Sequence, residues 1–318
     1  MEACDSPEQS NVSSYIATIV AIITFETLAG MWINAFIASM LCMAWIKRKT
    51  LNSNEKILML LGCSRFWYLC IAWVHSFLSA TYPYYLHVYP TLELVISIYA
   101  FLNHFSLWVS ACLCVFYCIK IANFRNSFFI YLKVKIDRIV PWLLLGSVVL
   151  SLAICTFAYD IAEYLHSKKG NSTCRGNFLE ESIKMEEHLF NVYFIYGFGY
   201  AASFTAVIFS ALLLLYSLWR HKRNMQTNSM KDLSMDAHIK AIKTILSFLI
   251  MYSINFICLI LTIIYSAEKK ENAMVLLVFV YLYAFPGIHS LVLIFSNPKL
   301  ENTLLRILSF VKCKICMR

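Results

Sequence analysis

Leu94–Ile119 reads LVISIYAFLNHFSLWVSACLCVFYCI and contains no Asp, Glu, Lys or Arg. About 20 apolar residues in a helix cross the hydrocarbon of a bilayer, so this run is long enough to span one. Backbone groups in hydrocarbon must bond within their own segment, which makes a helix the expected form. Moving outward along the chain, Ile139–Tyr159, Leu189–Trp219, Thr244–Ala267 and Ala273–Phe295 are also uncharged. Ile16–Ile46 carries only Glu26, and Ile57–Ala80 carries only Arg65. The sequence therefore predicts an all-α membrane protein built as a seven-transmembrane helix bundle. Residues 1–15 precede the first helix, 16–305 form the membrane domain, and 306–318 form a short tail.

Composition agrees with this reading. Of 318 residues, 60% are hydrophobic and only 14% charged, against about a quarter charged in soluble domains. The net charge of +9 does not indicate a nucleic-acid partner, because it is sorted by connector. Segments 47–56, 120–138, 220–243 and 296–318 hold 20 Lys and Arg, and the alternate segments hold six. Basic short loops stay in the cytoplasm. The expected arrangement is a multi-pass plasma-membrane protein with its N-terminus outside and its C-terminus inside. The first helix is expected to serve as the insertion signal, since no basic n-region or cleavage site precedes it. The basic loops also suit anionic lipid headgroups.

Two sequons fall on the expected outer side: Asn11-Val12-Ser13 and Asn171-Ser172-Thr173. Asn171 is the better-placed glycan acceptor, and Asn11 is the weaker one because it sits very near the bilayer. Of 12 cysteines, only Cys4 and Cys174 lie in exposed outer segments, which leaves either a bridge or two free thiols open. Cys313 and Cys316 stand beside Lys312 and Lys314, where S-acylation and unmodified thiols are both compatible with the sequence. No metal-ligand spacing, cofactor motif or nucleophile–base pair is seen, so an enzyme is not expected.

Polar residues inside the apolar runs are the candidate functional positions, because ionisable groups there are costly and face the bundle interior. Glu26 and Asn34 lie about two helical turns apart on one face, and Arg65 lies at a similar depth to Asn34. These three are expected to form a packing network clamping the first two helices, with a ligand or ion role as the alternative. Tyr99, Asn103 and Ser106 follow i, i+4, i+7 spacing, so one stripe carries ring, amide and hydroxyl. That stripe suits an amphipathic organic ligand, or else hydrogen bonds between helices. Pro286 interrupts the seventh run beside Gly287, where a kink is expected. That run has no Lys, which argues against a retinal Schiff base. On the inner side, Lys120, Asn123, Arg220, His221, His238, Lys240 and Lys243 cluster at the ends of the third, fifth and sixth helices. Cations suit a helix C-terminus, but Lys240 and Lys243 begin a helix. Lipid phosphate or an acidic cytosolic partner would explain them.

Several blocks resemble the type 2 taste receptors, the bitter taste receptors of the G-protein-coupled class. They are Asn34–Ile37, Leu61–Arg65, Phe116–Phe124, Phe129–Lys133, Ser217–His221, Ala237–Thr244, Ser247–Leu249, Pro286–Leu291 and Leu293–Leu300. The resemblance runs in register over roughly residues 16 to 305. Tyr131 and Tyr99 stand where family members often or sometimes carry Trp, and Leu107 stands where some carry Asn, so ligand preference does not transfer. The resemblance implies that a bitter small molecule binds from outside among helices three, five, six and seven. Asn103 then matches a ligand-contact position and Tyr252 a switching position. It also implies activation of a heterotrimeric G protein of the gustducin, inhibitory class. A pheromone-type receptor is the nearest alternative. A small transporter relaying through Glu26, Arg65 and His289 is a remoter one, because no inverted repeat or broken helix pair is apparent.

Overall fold

A computed structural model describes residues 7–82, 90–122, 124, 126–170, 178–226, 232–268 and 273–316. Among the described residues there are eight helices: α1 Pro7–Arg48, α2 Ser53–Thr81, α3 Thr91–Ile121, α4 Ser127–Gly170, α5 Phe178–Gln226, α6 Asp232–Glu268, α7 Ala273–Ser296 and α8 Pro298–Cys316. Seven of them contain spans long and apolar enough to cross a membrane: Val20–Arg48, Ser53–Leu78, Thr91–Ile121, Ser127–Tyr164, Phe194–Arg220, Thr244–Ile264 and Met274–Ser296. The seven-helix expectation therefore holds. What the apolar runs did not reveal is how far helix continues beyond them. α5 is 49 residues long, and α4 begins at Ser127, well inside what reads as a connector.

Local chemistry sets the boundaries. α1 stops at Lys49, whose φ of 54° is the left-handed conformation common just past a helix end. The Asn297-Pro298 pair divides α7 from α8. Pro298 lacks an N–H to donate and suits the first turn of a new helix. Asn297 Oδ1 accepts from Lys299 N at 3.1 Å, and Glu301 stands in the first turn, where the dipole favours it. α8 was not anticipated from the sequence. Its apolar residues are spaced along one face and separated by charges, so no run marks it.

The helices close into a ring in the order α1, α2, α3, α5, α6, α7 and back to α1, with α4 packed outside on α3. One apolar core joins α1, α2, α3, α4, α7 and α8 through Ile37, Leu61, Val109, Ile136, Ile294 and Leu300. A second joins α3, α5, α6 and α7 through Leu107, Tyr200, Val207, Tyr252, Leu282 and Phe285. The outward surfaces are as apolar as the cores: Phe25, Trp32 and Trp142 are each more than 70% exposed. That pattern belongs to a bundle solvated by lipid, where packing rather than water exclusion holds helices together. Close packing is extreme between α1 and α7. A Cβ on Gly287 would lie 3.1 Å from the Gly30 Cα, so a side chain there would push the two backbones apart by a few tenths of an ångström. The expected Pro286 lies within α7, one residue before that contact.

Candidate functional site

Two polar constellations lie in the bundle, and α3 contributes to both. The first is ringed by phenols. Tyr99 and Tyr68 of α2 share a hydroxyl–hydroxyl hydrogen bond of 2.8 Å, their rings 4.9 Å apart. One turn on, Asn103 Nδ2 donates to the Tyr200 hydroxyl of α5 at 3.0 Å. His104 stacks on the Tyr200 ring at 4.5 Å and meets Tyr196 edge-on. His104 is fully buried and neither ring nitrogen has a hydrogen-bond partner. Gly199 makes its space, because a Cβ there would come within 3.1 Å of the imidazole. Tyr99 and Asn103 themselves are only half-buried.

Beneath these groups is an aromatic stack. Phe204 and Phe256 lie 4.1 Å apart, and Tyr252 packs between Phe248 at 5.6 Å and Phe285 at 5.9 Å. The Tyr252 hydroxyl reaches the Leu107 carbonyl at 3.4 Å. Tyr252 is thus buried on α6 against α3, rather than lining the half-buried edge where Tyr99 and Asn103 stand.

The second constellation is centred on Arg65. Its Nε donates to Ser106 Oγ at 3.3 Å, Nη1 to Ser290 Oγ at 3.0 Å, and Nη2 to Ser110 Oγ at 3.1 Å. Nη2 also bonds His289 Nδ1. The Ser290 hydroxyl donates a hydrogen bond to Asn34 Oδ1 at 2.8 Å, and Asn34 Nδ2 donates to the Gly30 carbonyl. One guanidinium therefore ties α2 to α3 and α7, and Ser290 extends the tie to α1. A planar fork with five donors is the side chain suited to this.

This arrangement redistributes the candidate residues. Ser106 belongs with Arg65, so the Tyr99, Asn103, Ser106 stripe divides between the two constellations. Asn34 and Arg65 meet through Ser290, but Glu26 is absent from that network, and its half-buried side chain has one buried oxygen without a hydrogen-bond partner. His289 joins Arg65 to the aromatic stack, with Phe248 4.6 Å away. Ser110, Ser290, Tyr68 and Tyr200 escaped the sequence reading. Ser110 lies four residues beyond Ser106 and so shares its helical face, which was a usable signal. The pairing of Ser290 with Asn34, 256 residues apart, had none.

At the end of the bundle that carries the basic connectors, Lys120 pairs with Asp137 at 2.8 Å, both about half-exposed. Glu55 accepts from Arg48 at 2.8 Å and from Lys299 at 3.2 Å, which fastens the start of α8 to the α1–α2 turn. Between α3, α5 and α6 a small apolar cluster of Cys118, Ala122, Leu214 and Leu218 meets Ile242 and Ile245. Arg220 is exposed at the end of its span. Asn123, Asn171, Cys4 and Cys174 lie outside the described residues, as do the side chains of Asn11, His221, His238, Lys240, Lys243, Cys313 and Cys316.

Comparison with known proteins gives a family. Residues 12–312 match the family model described as Taste receptor protein (TAS2R). The chain is 32% identical to taste receptor type 2 member 40 of Gallus gallus, over 97% of this chain and 98% of that one. It is 31% identical to taste receptor type 2 member 9 of Homo sapiens, covering 95% and 96% of the two chains. It is 32% identical to taste receptor type 2 member 109 of Mus musculus, covering 93% and 94%.

Proposed function

Because this chain belongs to the taste receptor type 2 family, we propose that it detects bitter small molecules arriving from outside the cell and signals through a gustducin-type heterotrimeric G protein. The Asn103–Tyr200 hydrogen bond is the observation that carries the ligand reading. It holds the half-buried Asn103 amide against the buried Tyr200 phenol between α3 and α5, beside Tyr99. An amphipathic ligand gains area from the rings and orientation from the amide and hydroxyls. Tyr252 lies one layer deeper and acts as the switch. It contacts α3 through the Leu107 carbonyl and α7 through Phe285, so a shift of α6 must repack both.

The orientation of this reading has the N-terminus outside and α8 in the cytoplasm, which the 20 Lys and Arg on alternate connectors against six support. The G protein then docks where α3, α5 and α6 converge, using Lys120, Asn123, Arg220, His221, His238, Lys240 and Lys243. Asn171, with Asn11 second, accepts glycan on the outer side, and Cys313 and Cys316 take acyl chains at the inner membrane surface. An agonist shifts the receptor only by its differential affinity for the two states.

A calcium assay in cells co-expressing a gustducin-like α-subunit, screened against diverse bitter compounds, tests the proposal. Loss of one hydrogen bond costs about 1 kcal/mol. Asn103→Ala should therefore raise the half-maximal agonist concentration about fivefold at unchanged surface expression. An unchanged response across the panel rejects the ligand site. An epitope tag at residue 1 that is reachable only after permeabilisation rejects the orientation.

A further inference from the structure

α4 packs on α3 from outside the ring, and its opposite side is left open. Along that side runs a stripe whose members lie alternately three and four residues apart: Tyr131, Lys135, Arg138, Trp142, Leu145 and Val149, all exposed. Such spacing keeps them on one helical face. Two observations fix where this face meets the membrane surface. The Lys120–Asp137 pair sets Asp137 level with the end of α3, next to the last residue of the uncharged run Leu94–Ile119. The uncharged run of α4 independently begins at Ile139. Arg138 therefore stands at the boundary of the hydrocarbon. With a rise of about 1.5 Å per residue, Lys135 lies roughly 5 Å further out and Trp142 roughly 6 Å further in.

The two cations of the stripe differ from their neighbours in what they touch. Lys120 is taken up by Asp137, Lys133 donates to the Ala122 carbonyl at 3.3 Å, and Arg48 and Lys299 both serve Glu55. Lys135 instead lies over the Tyr131 ring, 4.6 Å from its centroid, and donates to the Tyr131 hydroxyl at 3.0 Å. Both of those groups are neutral. Among the described residues, no carboxylate pairs with Arg138. Two cations one turn apart thus face the bilayer at headgroup depth with no counter-charge from the protein. A guanidinium fork beside an ammonium matches a phosphate. Trp142 and Tyr131 bracket the pair, and such rings settle where hydrocarbon meets headgroup.

We propose that this face of α4 binds an anionic phospholipid of the leaflet at the basic end of the bundle. The lipid phosphate sits between Lys135 and Arg138, and Trp142 packs against the glycerol and the upper acyl chain. The remaining negative charge of the headgroup balances the second cation, which a zwitterionic lipid does not do.

The test uses the full chain with the photoreactive p-benzoylphenylalanine in place of Leu145, which lies on the stripe but touches neither cation. The protein is reconstituted in nanodiscs of equal parts phosphatidylserine and phosphatidylcholine with identical acyl chains. After irradiation, mass spectrometry counts the two lipids cross-linked at residue 145. Each cation near the surface contributes a factor of about five to the preference for an anionic lipid. The expected result is a clear excess of phosphatidylserine over the even bulk ratio. Lys135→Gln and Arg138→Gln should each cut that excess about fivefold, and the double variant should return it to the bulk ratio. Cross-linking of the native cation pair at the bulk ratio overturns the proposal. An excess that survives undiminished in the double variant also overturns it, because other basic segments would then be recruiting the lipid.

Discussion

The two polar constellations on α3 are neighbours along one helix, yet they are built to different rules. Around Tyr99 and Asn103 the partners are phenols, Tyr68 for Tyr99 and Tyr200 for Asn103, each joining a half-buried residue of α3 to a buried ring. Each hydrogen bond there is neutral and can be exchanged for one to an incoming molecule at modest cost. Around Arg65 the partners come from two helices, α3 and α7, are mostly sealed, and all converge on a single charge. No partner there can leave without stranding the others. The contrast separates a surface suited to changing occupants from a joint that keeps the helices in register.

The sharpest break should come at the joint. Arg65→Ala strands Ser106, Ser110, Ser290 and His289 together. Each buried acceptor left unmet costs about 1–3 kcal/mol. The expected outcome is loss of surface expression and a collapsed thermal melt in detergent. Next comes the α1–α7 contact. Gly287→Val drives side-chain atoms against the Gly30 backbone, and overpacking of this kind costs about 1–3 kcal/mol. A lowered melting temperature with partial surface expression should result. Gly146→Ala, where a Cβ meets nothing within 4 Å, should leave both unchanged.

Changes at the phenol edge should leave folding intact and move the agonist response. Tyr200→Phe removes the hydroxyl that Asn103 reaches while keeping the ring on His104. Loss of about 1 kcal/mol predicts a several-fold shift in agonist potency with the melt nearly unchanged. If Tyr200→Phe instead unfolds the receptor as Arg65→Ala does, the two regions do not differ in kind. The smallest effect should come from Asp137→Asn. The Lys120–Asp137 pair is half-exposed, and such pairs contribute about 0–1 kcal/mol. The melt should barely move, and any gain in G-protein coupling would show that Lys120 had been occupied.

The bundle was legible because the bilayer imposes one rule on every span. Leu94–Ile119 and its six counterparts had to be helices, and their lengths announced it. α8 was not legible because it answers to a different rule. Lys299, Glu301 and Arg306 interrupt its apolar residues, and only one face packs against α7. The candidate site was half legible. Spacing along α3 put Tyr99, Asn103 and Ser106 on one stripe, whereas Tyr99 and Ser106 meet α2 and Asn103 meets α5. Spacing could not say that Arg65, from another helix, would take Ser106 away from the other two. Nor could it pair Asn34 with Ser290, because such partners are chosen by packing across the bundle.

The meeting of Gly30 and Gly287 has a mechanical consequence. Where two helices touch backbone to backbone with no side chain between them, there is nothing compressible to absorb a tilt. A tilt of α7, if one occurs, would pivot at that point as a lever does about its fulcrum. A push on the half bearing Tyr283 swings the half bearing Ile294 the opposite way, towards the end where α8 is fastened through Lys299 and Glu55.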